Sequence, residues 1–202
     1  SPILIQQITD AISTHYDAVE ARAIAFRCLD LGWNLSSMDI ILKKEVELPK
    51  DWSARLARLA TGEPLQYVMG KTYFRDHLFE VNPDTLIPRP ETEELVDLVL
   101  CHASANASVL DVGTGSGCIP ISLKLERPSL QVEAWDISKG ALEMARHNAA
   151  TLKAAVSFQQ QDIFAWPRSA GSWDVIVSNP PYVTEEEKKE MANHVLDFEP
   201  HL

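Results

Sequence analysis

The first 62 residues carry their apolar positions at helical spacing. Ile5, Ile8 and Ile12 recur on one face, and Ala18 to Leu31 is a second segment of good helix formers that ends before Gly32. Asn34 or Ser36 is placed to cap a short third helix through Leu42. Pro49 opens a fourth, with Trp52, Leu56 and Leu59 on one face, ending near Gly62. The pattern predicts a small all-helical bundle whose apolar residues are core and carry no chemistry. His15 reads as a surface or cap residue.

The period changes after residue 65. Tyr73-Phe74 and Leu78 to Val81 are short β-type runs flanking Arg75-Asp76-His77, which predicts a hairpin. Pro88 and Pro90 force an extended path, and a helix with Leu95, Leu98 and Val99 follows. From residue 108 strands and helices alternate. Val109 to Val112 is a strand, followed by a glycine loop and a helix through Leu125; Gln131 to Asp136 is the next strand, followed by a helix from about Ser138 to Leu152; Val156 to Phe158 and Asp174 to Val177 are the third and fourth. That alternation implies a mostly parallel α/β sheet with right-handed crossovers. Three parts are expected: a helical domain over 1–66, a hairpin linker over 67–90 and an α/β domain over 91–202. Glu185 to Lys189 reads as the solvated start of a helix after Thr184.

Composition narrows the setting. The chain has 202 residues, 46% of them hydrophobic, enough for a sizeable core. No apolar run approaches the ~18 residues that span a bilayer. The first residues lack a basic segment followed by an apolar one, so no secretory signal is expected, and the absent initiator Met suggests trimming. Cys28, Cys101 and Cys118 are too few and scattered for a disulfide framework or a zinc site, which points to reduced thiols in a cytoplasmic protein with no metal. The net charge is −11; residues 1–64 hold 7 Lys and Arg against 9 Asp and Glu, and residues 65–202 hold 11 against 20. Tight binding to a phosphate backbone needs a cationic footprint, so the acidity of the second part argues against nucleic acid as the main partner.

Asn179-Pro180-Pro181-Tyr182 follows the apolar run Val175 to Val177 at a strand's carboxyl end, where open α/β sheets hold their ligands. A planar NH2 group is a poor nucleophile because its lone pair is delocalised. The Asn179 side-chain carbonyl and the Pro180 backbone carbonyl offer acceptors for its two N–H bonds, and such a grip turns the lone pair toward an electrophile. The prolines stiffen the turn, and Tyr182 offers a flat face. The plain alternative is a strand-terminating turn.

Two further strand ends sharpen the reading. Gly113-Thr114-Gly115-Ser116-Gly117 lets the backbone leave the strand sharply and approach a ligand closely. Its spacing is not the dinucleotide fingerprint, and no lysine follows to cradle phosphates. Asp136 ends the next strand, 25 residues after Asp111, where a carboxylate can accept from both ribose hydroxyls of a nucleoside. Asp162, after the third strand, can meet an adenine amino group, although such an Asp is more often a helix cap.

This combination resembles the class I S-adenosylmethionine-dependent methyltransferases, of the Rossmann-like fold. A narrower resemblance, over nearly the whole chain, is to the HemK family of protein-(glutamine-N5) methyltransferases. It rests on Gly62 to Gly70, Leu86 to Glu93, the Asp111 loop, Val177 to Tyr182 and Phe198-Glu199-Pro200, which fall in that family's order. The resemblance implies S-adenosylmethionine as cofactor and S-adenosylhomocysteine as product. It implies that Gly113, Thr114, Gly115, Ser116 and Gly117 border the cofactor's amino-acid end, that Asp136 holds the ribose, and that Asp162 and Ile163 flank the adenine. Asn179 would meet both cofactor and target, with Asn179, Pro180 and Tyr182 catalytic and Pro181 completing the pocket. The implied substrate is the glutamine of the Gly-Gly-Gln motif in class 1 peptide-chain release factors, gripped in part by the helical domain, with no nucleic acid or membrane as direct partner. Ile163 departs from the family, which often carries an aromatic there. The chain also stops just after Pro200, whereas the family's fold continues through further strands, so the domain is expected to be carboxyl-terminally truncated. Two other readings stay open: methylation of an exocyclic amine in DNA or RNA, and a cofactor-binding module without turnover.

Overall fold

The computed structural model describes residues 2–166 and 171–180. The chain divides into two compact units between Lys71 and Thr72.

The first unit is helical: α1 (Pro2–Ile12), α2 (Ala18–Trp33), α3 (Ser37–Ile41), α4 (Trp52–Ala60) and α5 (Leu65–Met69). Leu4, Ile8 and Ile12 of α1 bury against Ala25, Cys28 and Leu29 of α2 and Leu59 of α4. Asp17 caps α2 by accepting from the Val19 and Glu20 N–H groups, while Ser36 and Asp39 form a reciprocal capping box on α3. Asn34 does not cap α3; it closes α2 in the left-handed region at φ 53°. The expected stop before Gly32 is corrected, because α2 continues to Trp33. A side chain at Gly32 would stand 2.8 Å from Met69 Cε, so this glycine admits a neighbour rather than ending a helix. The fourth helix starts at Trp52, not at Pro49, whose carbonyl accepts from Trp52 N in the preceding turn. The helix α5 is too short to show in the apolar pattern of the sequence. His15 is exposed, with its Nε2 3.1 Å from the Ala60 carbonyl.

The second unit begins with a hairpin of β1 (Lys71–Phe74) and β2 (His77–Glu80). Its two-residue turn, Arg75-Asp76, has positive φ at both positions, the geometry that suits the strands' right-handed twist. Arg75 is held there: its guanidinium pairs with Glu126 and Asp97, its Nη1 donates to the Glu93 carbonyl, and its backbone N–H donates to Glu93 Oε1. Phe74 and Phe79 are fully buried in the core of this unit, edge to face at 6.1 Å. The hairpin is thus part of the second unit's core.

A 3-10 turn (Pro90–Thr92) leads into α6 (Glu93–His102), then β3 (Ser108–Val112), α7 (Cys118–Glu126), β4 (Gln131–Asp136), α8 (Lys139–Leu152), β5 (Ser157–Gln160), a 3-10 turn (Ile163–Ala165) and β6 (Val175–Ser178). On α6 the buried positions are Val96 and Val99; Leu98, expected on the apolar face, is 55% exposed. The four strands are parallel in the order β5-β4-β3-β6. Val109, Val132 and Val177 pack with α6, α7 and α8 on one face, while Leu110, Val112 and Trp135 point to the other. There Trp135, Trp166 and Trp173 form a cluster with ring centres 4.9–5.8 Å apart. The chain steps outward from β3 to β4 to β5, then returns to the far side of β3 as β6. The strand order reverses between β3 and β6, and the crevice above that reversal is where such sheets hold ligands.

Candidate active site

The register fixes the site. Val112 pairs with Ser178, so the next residues, Gly113 and Asn179, leave adjacent strands side by side at their carboxyl ends. Asp136 ends β4, and Asp162 follows β5. Four neighbouring strands therefore present Asp162, Asp136, the glycine loop and Asn179 in that spatial order, across about 14 Å at ordinary strand spacing.

The glycine loop is tightly built. Gly113 and Thr114 N–H groups donate to the Trp135 carbonyl, and Gly117 N–H closes a turn onto the Thr114 carbonyl. Gly113, Gly115 and Gly117 all have positive φ. They differ in what surrounds them. Nothing lies within 4 Å of a side chain built on Gly113 or Gly115, which leaves open space above the loop. One built on Gly117 meets Ile121 Cδ1 at 2.9 Å and Ala145 Cβ at 3.1 Å, so that glycine serves the packing of α7 against α8.

Asp136 is 5% exposed and both its oxygens are engaged: Oδ2 accepts from Gly115 N–H at 2.8 Å and Oδ1 from Ser138 N–H at 2.9 Å. Each carboxylate oxygen accepts more than one bond, so Asp136 pins the loop and keeps capacity for ribose hydroxyls. Its backbone carbonyl also accepts from Gln161 N–H, which ties the β4 end to the β5 end. Asp162 Oδ1 accepts from Phe164 N–H, so it caps the second 3-10 turn. Ile163 is 45% exposed and Phe164 97%.

Beneath the loop Asp111 is fully buried, with neither carboxylate oxygen in a hydrogen bond; Thr114 Oγ1 and Ser116 Oγ are likewise buried without partners. Burial pushes the Asp111 pKa up to about 7; the nearby Thr114 hydroxyl opposes the rise, although the two do not reach bonding geometry, and the Asp136 carboxylate adds to it. Burial likewise raises the neighbouring Cys118 thiol to about 12, which leaves it inert. Unpaired acceptors and hydroxyls under an open glycine loop suit the ammonium and carboxylate of an amino-acid moiety. Together with Asp136 they fit S-adenosylmethionine.

At the target end, Asn179 Nδ2 donates to Thr92 Oγ1 at 3.1 Å, and Ser178 Oγ donates to the Val112 carbonyl at 2.7 Å. Pro180 is exposed at the strand's end, while Pro181, Tyr182, Phe198-Glu199-Pro200 and the Glu185 run lie outside the described residues. Pattern reasoning missed two residues of this region. Thr92 reads as a helix cap, and Asn148 reads as an ordinary polar position on α8. In fact Asn148 is 1% exposed; it donates to the Ser116 and Glu80 carbonyls and accepts from the Glu80 N–H.

A depression of about 750 Å³ lies elsewhere, on the sheet face that carries Gln131, Glu133, Trp135, Ser157 and Gln159; it includes neither the glycine loop nor Asn179. Among the described residues no group of His, Cys, Asp and Glu could hold a metal ion, and no helix is long and apolar enough to cross a membrane.

A switch-point crevice that pairs a glycine loop and a strand-ending Asp with Asn-Pro-Pro-Tyr defines a class I S-adenosylmethionine-dependent methyltransferase. Residues 92–197 match the methyltransferase small domain. The chain is 43% identical over 201 residues to the release factor glutamine methyltransferase of Bacteroides thetaiotaomicron, covering 96% of this chain and 72% of that protein. It is 38% identical to the enzyme of the same description from Flavobacterium psychrophilum, over 97% of this chain and 72% of the relative. A Neisseria gonorrhoeae relative so described is 46% identical over 161 residues, 77% of this chain and 59% of its own length. The chain belongs to the release factor glutamine methyltransferase family.

Proposed function

We propose that this protein methylates the side-chain amide nitrogen of the glutamine in the Gly-Gly-Gln motif of class 1 peptide-chain release factors, a cytoplasmic reaction that supports translation termination. The observation that carries the reading is the pairing of Val112 with Ser178, which sets the glycine loop and Asn179 on adjacent strand ends. S-adenosylmethionine, when bound, supplies a methyl group on a sulfonium, which passes to a nucleophile as sulfur takes back the bonding pair.

The remaining work belongs to the protein. The glycine loop, with Asp111, Thr114 and Ser116 beneath it, holds the amino-acid end; Asp136 takes the ribose; Asp162 and Ile163 border the adenine. Asn179 Oδ1 and the Pro180 carbonyl accept the two N–H bonds of the target amide, which turns its lone pair toward the methyl carbon. Pro181 and Tyr182 complete that pocket. No strong base is required, because the nitrogen becomes acidic once methylated and releases its proton to water. Glycines on either side of the glutamine make a narrow, pliable substrate segment that can reach a recessed site. The helical unit serves to grip the rest of the release factor.

The acidic balance of residues 65–202 supports a protein target over DNA or RNA. The test is transfer of a radiolabelled methyl group to purified release factor, DNA and RNA in parallel. Label on the release factor supports the proposal, label on nucleic acid replaces it, and cofactor binding without label leaves a binding module. Asn179→Ala should lower transfer at least about a hundredfold, to a residual measurable rate, while cofactor binding persists; undiminished transfer would remove Asn179 from its role.

A further inference from the structure

Thr92 stands at the start of α6, where a threonine ordinarily caps the helix. It does not do so here. Its backbone is already helical (φ −68°, ψ −20°) and its side chain makes no capping bond. The side chain is 5% exposed and its Oγ1 receives Asn179 Nδ2 at 3.1 Å from 87 positions along the chain.

That bond has a chemical consequence for Asn179. The terminal torsion of an asparagine is soft and roughly two-fold, so an unanchored amide samples both orientations. The orientations are opposite in function. With Nδ2 committed to Thr92, Oδ1 faces away and is available to an incoming NH2 group. With the amide reversed, the Thr92 hydroxyl could still donate to Oδ1, but Nδ2 would then face the substrate's N–H as donor to donor. Thr92 is itself fixed on both sides: Pro90 begins its turn, its N–H donates to the Arg89 carbonyl, and the adjacent Glu93 is bonded through side chain and backbone to Arg75.

We propose that Thr92 is a positioning residue for methyl transfer, anchoring the Asn179 amide through Nδ2 so that Oδ1 is left to accept the substrate's N–H. This rests on the assignment of Asn179 as the substrate-amide acceptor. Thr92→Val keeps the shape and removes the acceptor oxygen. It should lower kcat about tenfold, the effect of one hydrogen bond. The KM for S-adenosylmethionine should stay unchanged, and the melting temperature should fall by no more than a few degrees. Thr92→Ser should restore kcat to within about twofold, and Thr92→Ala, for use if valine is not accommodated, should match Thr92→Val. In an Asn179→Ala background Thr92→Val should have no further effect. Wild-type kcat in Thr92→Val, or an equal loss in the Asn179→Ala background, overturns the inference. The side-chain NH2 resonance of Asn179 gives a readout that needs no substrate. Thr92→Val should shift it and Thr92→Ser should not, and an unmoved signal in Thr92→Val also overturns the inference. If the wild-type protein labels no release factor, the functional reading fails on its own, and this resonance still decides the role of Thr92.

Discussion

Asn148 donates from Nδ2 to the Ser116 carbonyl at 3.0 Å, a bond that ties α8 to the glycine loop. The same side chain exchanges two bonds with the Glu80 backbone, so the hairpin and the loop share an anchor. Asn148→Ala would strand three backbone groups. We expect it to cost about 3 kcal/mol in urea unfolding, because buried groups left without partners lose their full solvation. Arg146→Ala, two positions earlier on the exposed side of α8 with its Nη2 on the Phe158 carbonyl, should cost well under 1 kcal/mol by the same measurement, as exposed substitutions generally do.

Asp136 should matter to the cofactor more than to the fold. Asp136→Asn keeps one acceptor and turns a donor toward a backbone N–H, either Gly115 or Ser138. Calorimetric titration should show S-adenosylmethionine affinity falling on the order of 10–100-fold, the range for lost bonds to a charged group. Ser138→Ala removes only the α8 cap onto Ala141 and should cost about 1 kcal/mol of stability with affinity unchanged.

The loop glycines should separate cleanly. Gly117→Ala meets Ile121 and Ala145 at φ +80° and should destabilise by about 2–4 kcal/mol, combining overpacking with backbone strain. Gly113→Ala meets only open space and should lose about 1–2 kcal/mol from its positive φ. Thermal melts rank the two, and the prediction fails if Gly113→Ala is the more destabilised.

Asp111 makes stability depend on pH with a definite sign. Its folded pKa, about 7, lies above the ordinary 3.8. The unfolded chain gives up this proton first, so the contribution is complete below pH 4 and is lost as pH rises to 7. The full loss above pH 7 is about 4 kcal/mol. Asp111→Asn should therefore gain stability relative to wild type between pH 4 and pH 7, then run parallel to it. Urea unfolding across that range checks the slope, and a flat difference would contradict it.

How much was legible from the sequence follows from how local each signal is. The four parallel strands were readable because apolar runs and glycine or acidic ends repeat at short range. So were the positions of Asp136, which ends β4, and Asn179, the residue just past β6. Thr92 was not, because a threonine before a helix looks like a cap whether or not it caps. Asn148 gives no local signal and Gly32 a false one for a related reason: their partners, Ser116 and Met69, lie 32 and 37 positions away, beyond any periodic window. Asp162 takes the plain cap reading, since its Oδ1 accepts from the Phe164 N–H of the turn that bears Ile163.

The pairing of Val112 with Ser178 also makes the chemistry hostage to a ladder of backbone hydrogen bonds. Side chains alternate faces along a strand, so a slip of one residue in β6 would turn Asn179 away from Thr92 and shift it along the glycine loop together. The glycine loop and Asn179 are thus aligned by the same bonds that build the sheet. An insertion within Val175–Ser178 would silence the enzyme without touching a single residue of its site.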